Sequence, residues 1–464
     1  MEHKTELSIP FTLANLRHQY TIGNVSPTEI VETIISKLEA RGDDGIWIYK
    51  LPKEDLRSRV ATLENIAPEN RPPLWGIPFS IKDCIDVEGL PTSAGCPGFV
   101  YTAANTNPAV QNLLDAGAIL IGKTNLDQFA TGLVGLRTGY TVPHNAFSKD
   151  YIPGGSSSGA ALSVATGLVS FALGTDTGGS GRVPAGFNNI VGLKPTKGRL
   201  STTHTVEACK TLDCISIFAL TAPDTQTIFD IAQSNDPTQP FSRPAAAPSP
   251  QRQSYQPSQA FRFGVPRPNQ RAFFGNAEAE ALYDNAIKNL VKLGGTCIEI
   301  DYSPFLAANA LLFNGPWVAE RYASVGEFVE QAPNAVFSTT RNILSKAKNI
   351  TAVDAFKGLY AVEALKRESQ SLWDDIDCLV VPTTGTIYRI EEIEAEPLSL
   401  NANLGYYTNF VNLLDLCAIA IPNSFQSNGL PTGITLIAPP HSETYLTGLG
   451  ATFHTAHSTR LGAL

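Results

Sequence analysis

The chain has 464 residues, 43% hydrophobic and 17% charged, with a formal net charge of −9. That apolar share can bury a large core and excludes a disordered chain. An acidic balance without a basic stripe speaks against nucleic acid as a partner, and no run reaches the roughly 20 apolar residues of a membrane-spanning helix.

The opening Met1-Glu2-His3-Lys4-Thr5-Glu6 lacks the pattern of a signal peptide. Seven scattered cysteines without Cys-x-x-Cys, several in apolar runs (Cys297, Cys378, Cys417), read as reduced core residues of a cytoplasmic protein. Ser26-Pro27-Thr28-Glu29 predicts a capping box with proline at the first helical position, followed by Ile30, Ile34 and Leu38 on one helical face. Ile77 to Lys82 alternates as a strand, which sends Lys82 and Asp83 to opposite faces. Asp83 then need not hold Lys82 as a cation. A lysine ending a strand in apolar surroundings can be neutral, because desolvation disfavours its charged form. Its pKa has to fall by about three units from about 10.4.

Gly117 to Thr124 satisfies the P-loop pattern letter by letter. A P-loop follows its strand, however, and presents a nest of N–H groups, whereas Ile119-Leu120-Ile121 is itself strand-like. Next come two glycine–serine turns: Pro153-Gly154-Gly155-Ser156-Ser157-Ser158-Gly159, and Gly174-Thr175-Asp176-Thr177-Gly178-Gly179-Ser180-Gly181-Arg182. The apolar segment between them reads as a buried helix through Val169. Serines in glycine-rich turns are placed for chemistry rather than packing, since glycine lets backbone approach a ligand closely, and a serine nucleophile needs a base. Lys82 offers one. Gly155 to Gly159 also fits Gly-x-Ser-x-Gly, which would make Ser157 a nucleophile served by His204, His441, His454 or His457. That alternative leaves the second serine loop and Lys82 unexplained.

Ser242 to Ala260, rich in Pro, Ala, Ser and Gln, is read as a surface loop. Phe261 to Val265 is a predicted strand. Asn276 caps a predicted helix carrying Leu282, Ala286, Leu290 and Leu293 and closed by Gly294-Gly295, and Thr296 to Tyr302 is a further strand. His454-x-x-His457 lacks a third ligand, so no metal is assigned. The sequons at Asn24 and Asn349 have no role without secretion. Alternating helix and strand patterns give an α/β class.

The two serine loops with Gly192-Leu193-Lys194-Pro195-Thr196 resemble the signature of the amidase signature hydrolases. The resemblance implies a mixed central β-sheet covered by helices on both faces, no cofactor, and a Ser–cis-Ser–Lys triad of Ser180 (nucleophile), Ser156 (relay) and Lys82 (base). The backbone N–H groups of Thr177, Gly178, Gly179 and Ser180 would form the oxyanion hole. One departure is Ser158, where the family usually has glycine.

Gly122 to Gly135, Leu212 to Thr221, Gly315 to Ala323 and Tyr407 to Leu416 further resemble the amidase domain of allophanate hydrolases. This implies a cytoplasmic enzyme of urea degradation that releases ammonia from a small urea-derived amide; its partner is that small-molecule amide, with a homodimer one open option for its assembly. Arg321, Phe313 and Gly132 are the implied substrate-binding residues. Phe313 stands where those enzymes have a tyrosine, and Asn314 where they have glycine. A general amidase acting on biuret, malonamate or aliphatic amides is the alternative, and an inactive scaffold subunit the remote one. The expected organisation is a single domain over residues 1–464, lacking the C-terminal product-processing domain that allophanate hydrolases commonly carry.

Overall fold

Several strands in the middle of the chain are apolar at nearly every position rather than at alternate ones. The computed structural model, which describes residues 9–233, 235–457 and 460–464, shows why. The strands are β1 (Trp47–Lys50), β2 (Pro78–Lys82), β3 (Pro91–Thr92), β4 (Tyr101–Thr102), β5 (Ile119–Thr124), β6 (Phe171–Asp176), β7 (Val191–Lys194), β8 (Cys214–Ala219), β9 (Phe261–Pro266), β10 (Gly295–Ile300), β11 (Cys378–Pro382), β12 (Cys417–Phe425) and β13 (Pro431–Ala438). Eleven of them form one sheet in the order β1-β5-β2-β6-β8-β7-β12-β13-β11-β9-β10, with β3 and β4 pairing apart. The sheet is mixed: β5, β2 and β6 run parallel, β6 meets β8 antiparallel, and β11, β9 and β10 are parallel again.

Successive side chains of a strand point to opposite faces, yet every residue of β2, β5, β6, β7 and β8 is buried. Both faces are therefore covered, as near-continuous apolar strands require. The helix Ser158–Ala165 packs on β2, β5 and β6; the helix Ala222–Ala232 packs on β7 and β8; and the helix Glu443–His457 packs on β12. The predicted α/β architecture of a mixed sheet flanked by helices is observed.

Local expectations fare according to how local their cause is. The capping box at Ser26 is formed, with Glu29 and Ser26 bonding reciprocally at the head of Pro27–Arg41. Asn276 caps Ala277–Lys292 through Ala279 N. The predicted helix after Ser158 is too long: it ends at Ala165, turns, and becomes β6 at Phe171. The last predicted strand stops at Ile300, two residues short of Tyr302. Ile119-Leu120-Ile121 lies inside β5, so the P-loop-like letters span a strand. Ser242 to Ala260 holds one short 3-10 turn, Pro250–Arg252, and is mostly exposed, with Arg252 and Tyr255 turned inward. The opening segment, without a signal-peptide pattern, lies outside the described residues.

Candidate active site

Ligand sites in open α/β sheets lie beyond the carboxyl ends of parallel strands, and here β5, β2 and β6 end together. Lys82 is the last residue of β2, and the pairing of Ile81 with Leu173 carries it alongside Gly174, next to Thr175. Its side chain is fully buried, and its amine hydrogen-bonds to Ser156 Oγ (2.7 Å) and Thr175 Oγ1 (2.8 Å). Burial pushes the Lys82 pKa below the ordinary lysine value, opposed by Cys84 and the carboxylates of Asp127, Asp213 and Asp176. Asp83 faces away. It accepts from Ser93 N (2.9 Å) and Ser93 Oγ (2.5 Å) and pairs with Lys123 Nζ (3.1 Å). Lys123, the lysine of the P-loop-like run, also donates to Pro91 O (2.7 Å) and Thr92 Oγ1 (2.5 Å), so it is spent on structure.

The Gly155–Ser156 peptide bond is cis. Ser156 O accepts from Asp127 N (3.1 Å), and Gly155 N donates to Leu133 O (2.8 Å). The Asp127 carboxylate in turn accepts the amides of Val134 (3.2 Å), Gly135 (3.0 Å) and Arg137 (2.9 Å). One carboxylate thus organises the turn that backs the serine loop. A Cβ at Gly155 would run into Asp127 Oδ2. Ser157, the nucleophile of the esterase alternative, is tied to β6: its Oγ donates to Thr175 O (3.1 Å) and accepts from Thr175 N (3.3 Å). Its partners include no histidine.

The second serine loop is clamped around Asp176. The carboxylate accepts Gly179 N (2.9 Å) and Gly181 N (3.0 Å) and takes a two-pronged ion pair from Arg182 Nε and Nη2 (2.9 Å each). Arg182 also donates to Thr408 O (3.1 Å), Thr408 Oγ1 donates to Gly178 O (2.7 Å), and Asn412 Nδ2 donates to Asp176 O (2.7 Å). Gly179 adopts φ +135°, and a Cβ there would strike Thr408 Oγ1. The amide of Gly179, one of the expected oxyanion donors, is engaged by Asp176, because the turn folds back on the strand-end carboxylate. The amides of Thr177, Gly178 and Ser180 donate to no protein acceptor among the described residues.

Arg321 lies on the helix Trp317–Gln331 and is only 3% exposed. Its Nη1 donates to Ala130 O and Thr131 Oγ1 (3.3 Å each), and among the described residues its Nε has no partner and no carboxylate pairs with it. The Phe313 ring centroid lies 5.4 Å from its Cζ, and the neighbouring Leu312 closes on Gly178. Gly132 follows the Ala130–Thr131 contact and leaves room for Asp127. A buried guanidinium without its own anion is costly and suits a ligand carboxylate, which its planar fork matches.

The Amidase family model matches residues 29–446 of the chain. The chain belongs to the amidase family. It is 41% identical over 411 residues to the urea amidolyase of Saccharomyces cerevisiae, a match covering 88% of this chain and 22% of that protein. This amidase therefore spans about a fifth of the length of the urea amidolyases it matches. Its structure superposes on Kluyveromyces lactis allophanate hydrolase with a TM-score of 0.92 at 37% identity, over 99% of this chain and 75% of that one. It also shares its fold with 6-aminohexanoate cyclic dimer hydrolase, with a TM-score of 0.83 at 22% identity over 96% of this chain and 97% of that one. The amidase is an amide-hydrolysing enzyme related to allophanate hydrolase.

Asp127, Thr175, Asp176 and Asp213 belong to the site without any local motif that assigns them a role. The available signal was an aspartate ending a strand with an arginine six positions on. Among the described residues, no group of three or more His, Cys, Asp or Glu could hold a metal ion, and no helix is long and apolar enough to cross a membrane. The seven cysteines are unpaired.

Proposed function

We propose that this amidase hydrolyses the terminal amide of an allophanate-like, urea-derived anion and releases ammonia, with Lys82, Ser156 and Ser180 as catalytic residues. The observation that carries the reading is the buried Lys82 amine, bonded to Ser156 and to no carboxylate among the described residues, beside a loop with three open amides. The neutral amine accepts the Ser156 proton while Ser156 accepts that of Ser180, whose oxygen bonds to the substrate carbonyl carbon. The developing oxyanion is met by the amides of Thr177, Gly178 and Ser180. Preorganised donors of this kind are often the largest single catalytic contribution. The proton returns through Ser156 to the leaving nitrogen, the C–N bond breaks and ammonia departs. Water then attacks the acyl-enzyme, passes a proton along the same relay, and frees Ser180 and a carboxylate product.

Arg321 would bind the substrate carboxylate. Phe313 supports a second reading of the substrate: a phenyl ring offers no hydroxyl to the central N–H of allophanate, a contact worth about 0.5–1.5 kcal/mol, so malonamate, which has a methylene at that position, competes with allophanate. Free thiols throughout favour a reducing compartment such as the cytoplasm. The test is ammonia release from allophanate, malonamate, biuret and aliphatic amides. We expect anions to be preferred, Ser180→Ala to abolish turnover, Arg321→Ala to erase the anion preference and Phe313→Tyr to favour allophanate. Preference for neutral amides unaffected by Arg321→Ala would overturn the substrate assignment, and turnover retained in Ser180→Ala would overturn the mechanism.

A further inference from the structure

The pairing of Asp176 with Cys214 across β6 and β8 sets the next step of the register, Thr177 opposite Asp213, just beyond the ladder. There the Thr177 hydroxyl donates to Asp213 Oδ1 at 2.5 Å. The same carboxylate accepts Ala208 N on Oδ2 (2.7 Å) and Cys209 N on both oxygens (3.2 Å). The segment it gathers is fastened to the helix bearing Arg321: Thr211 N and Oγ1 both donate to Glu320 (2.8 Å each), and Cys209 Sγ donates to Trp317 O (3.5 Å). We propose, resting on the site reading above, that Asp213 is a positioning residue that locks the oxyanion loop to the substrate-binding helix, so that the open amides and Arg321 keep one fixed geometry.

The physical case is one of converging donors. A carboxylate offers about four acceptor sites, and here three donors from two segments fill them. Asp213 is 8% exposed, and burial pushes its carboxyl up to about 6, with the Arg321 charge and the bonds from Thr177, Ala208 and Cys209 pulling the other way. An amide in its place would turn an N–H group toward donors. Losing the Thr177 tether alone would free one side of the loop and leave the Ala208 and Cys209 contacts intact. A misplacement of about 1 Å at a catalytic group can cost 10²-fold.

The experiment measures kcat and KM for ammonia release from the best substrate, using the full chain and the variants Thr177→Val, Thr177→Ser, Asp213→Asn and Ser180→Ala. Thr177→Val keeps the backbone amide and removes only the tether. We expect it to lower kcat about 10- to 100-fold with KM within about twofold, and Thr177→Ser to restore most of kcat. Asp213→Asn should lower kcat at least as far and also raise KM, because it loosens the Arg321 helix. Wild-type kcat in folded Thr177→Val, or an equal loss in Thr177→Ser, would overturn the proposal even if Asp213→Asn fails to fold. Turnover surviving in Ser180→Ala would instead strike the site reading beneath it.

Discussion

At the scale of single residues, the site depends on two adjacent side chains being sent to different places. Lys82 and Asp83 follow one another, and had they met, the lysine would have stayed a cation. The strand's alternation sends Asp83 to Ser93 and Lys123, while Lys82 meets two hydroxyls. Because burial lowers the Lys82 pKa, kcat/KM should rise with pH along a limb below the ordinary lysine value of about 10.4. A limb at or above that value would show that Lys82 is not the base. Stability carries the same sign. Between the lowered native pKa and about 10.4, the unfolded chain binds a proton that the native state does not, so stability rises with pH across that window. Lys82→Met should abolish turnover and flatten that part of the stability profile, measured by urea unfolding at several pH values.

Among the elements, what was legible in the sequence was what neighbouring residues determine. The capping box at Ser26 and the cap at Asn276 act over three positions, and the glycine–serine turns announce themselves by composition. The run from Ala160 onward did not announce its break. A continuous apolar stretch has no period to separate helix from strand, and only burial against β2, β5 and β6 divides it into a helix ending at Ala165 and a strand starting at Phe171. The carboxylates behind the two serine loops were hidden for a related reason: that of Asp127 meets the Gly135 amide, and that of Asp213 the Thr177 hydroxyl, only once the chain has folded. The Asp127 contact makes Gly155→Ala informative. The added methyl must displace Asp127 Oδ2, and the amides of Val134 and Gly135 then lose their acceptor. We expect a loss of about 2–4 kcal/mol of stability, from overpacking together with unmet buried donors. Turnover should fall at least about 100-fold through the displaced Ser156. Near-normal turnover in folded Gly155→Ala would show that the turn adapts without moving the relay serine.

For the whole molecule, the sheet continues without a gap from β1 to β10, and its crossing between the two parallel trios runs through β8, β7, β12 and β13. One apolar cluster joins Ile81 and Phe171 near the site to Phe263 and Cys378 in the far trio. A chain built this way should unfold in one transition, and the exposed segment between β8 and β9 should act as a tether rather than a domain boundary. Its anchor is Arg252, which donates to Asp377 O (2.9 Å), Ile376 O (2.8 Å) and Trp373 O (2.5 Å) at the start of β11, while Tyr255 packs edge-on against Phe261 and Tyr445. Arg252→Ala removes those three bonds, a cost of about 3 kcal/mol for bonds to a charged group. For a chain of this length the unfolding entropy is about 1 kcal/mol per kelvin, so Tm should drop by about 3 °C. None of these groups touches the serine loops, so ammonia release at 25 °C should stay within about twofold of wild type. Calorimetry decides the matter: a single transition displaced to lower temperature supports a continuous unit, whereas a new low-temperature transition with activity preserved would mean that the β9–β11 side unfolds independently of the side that holds Lys82 and the serines.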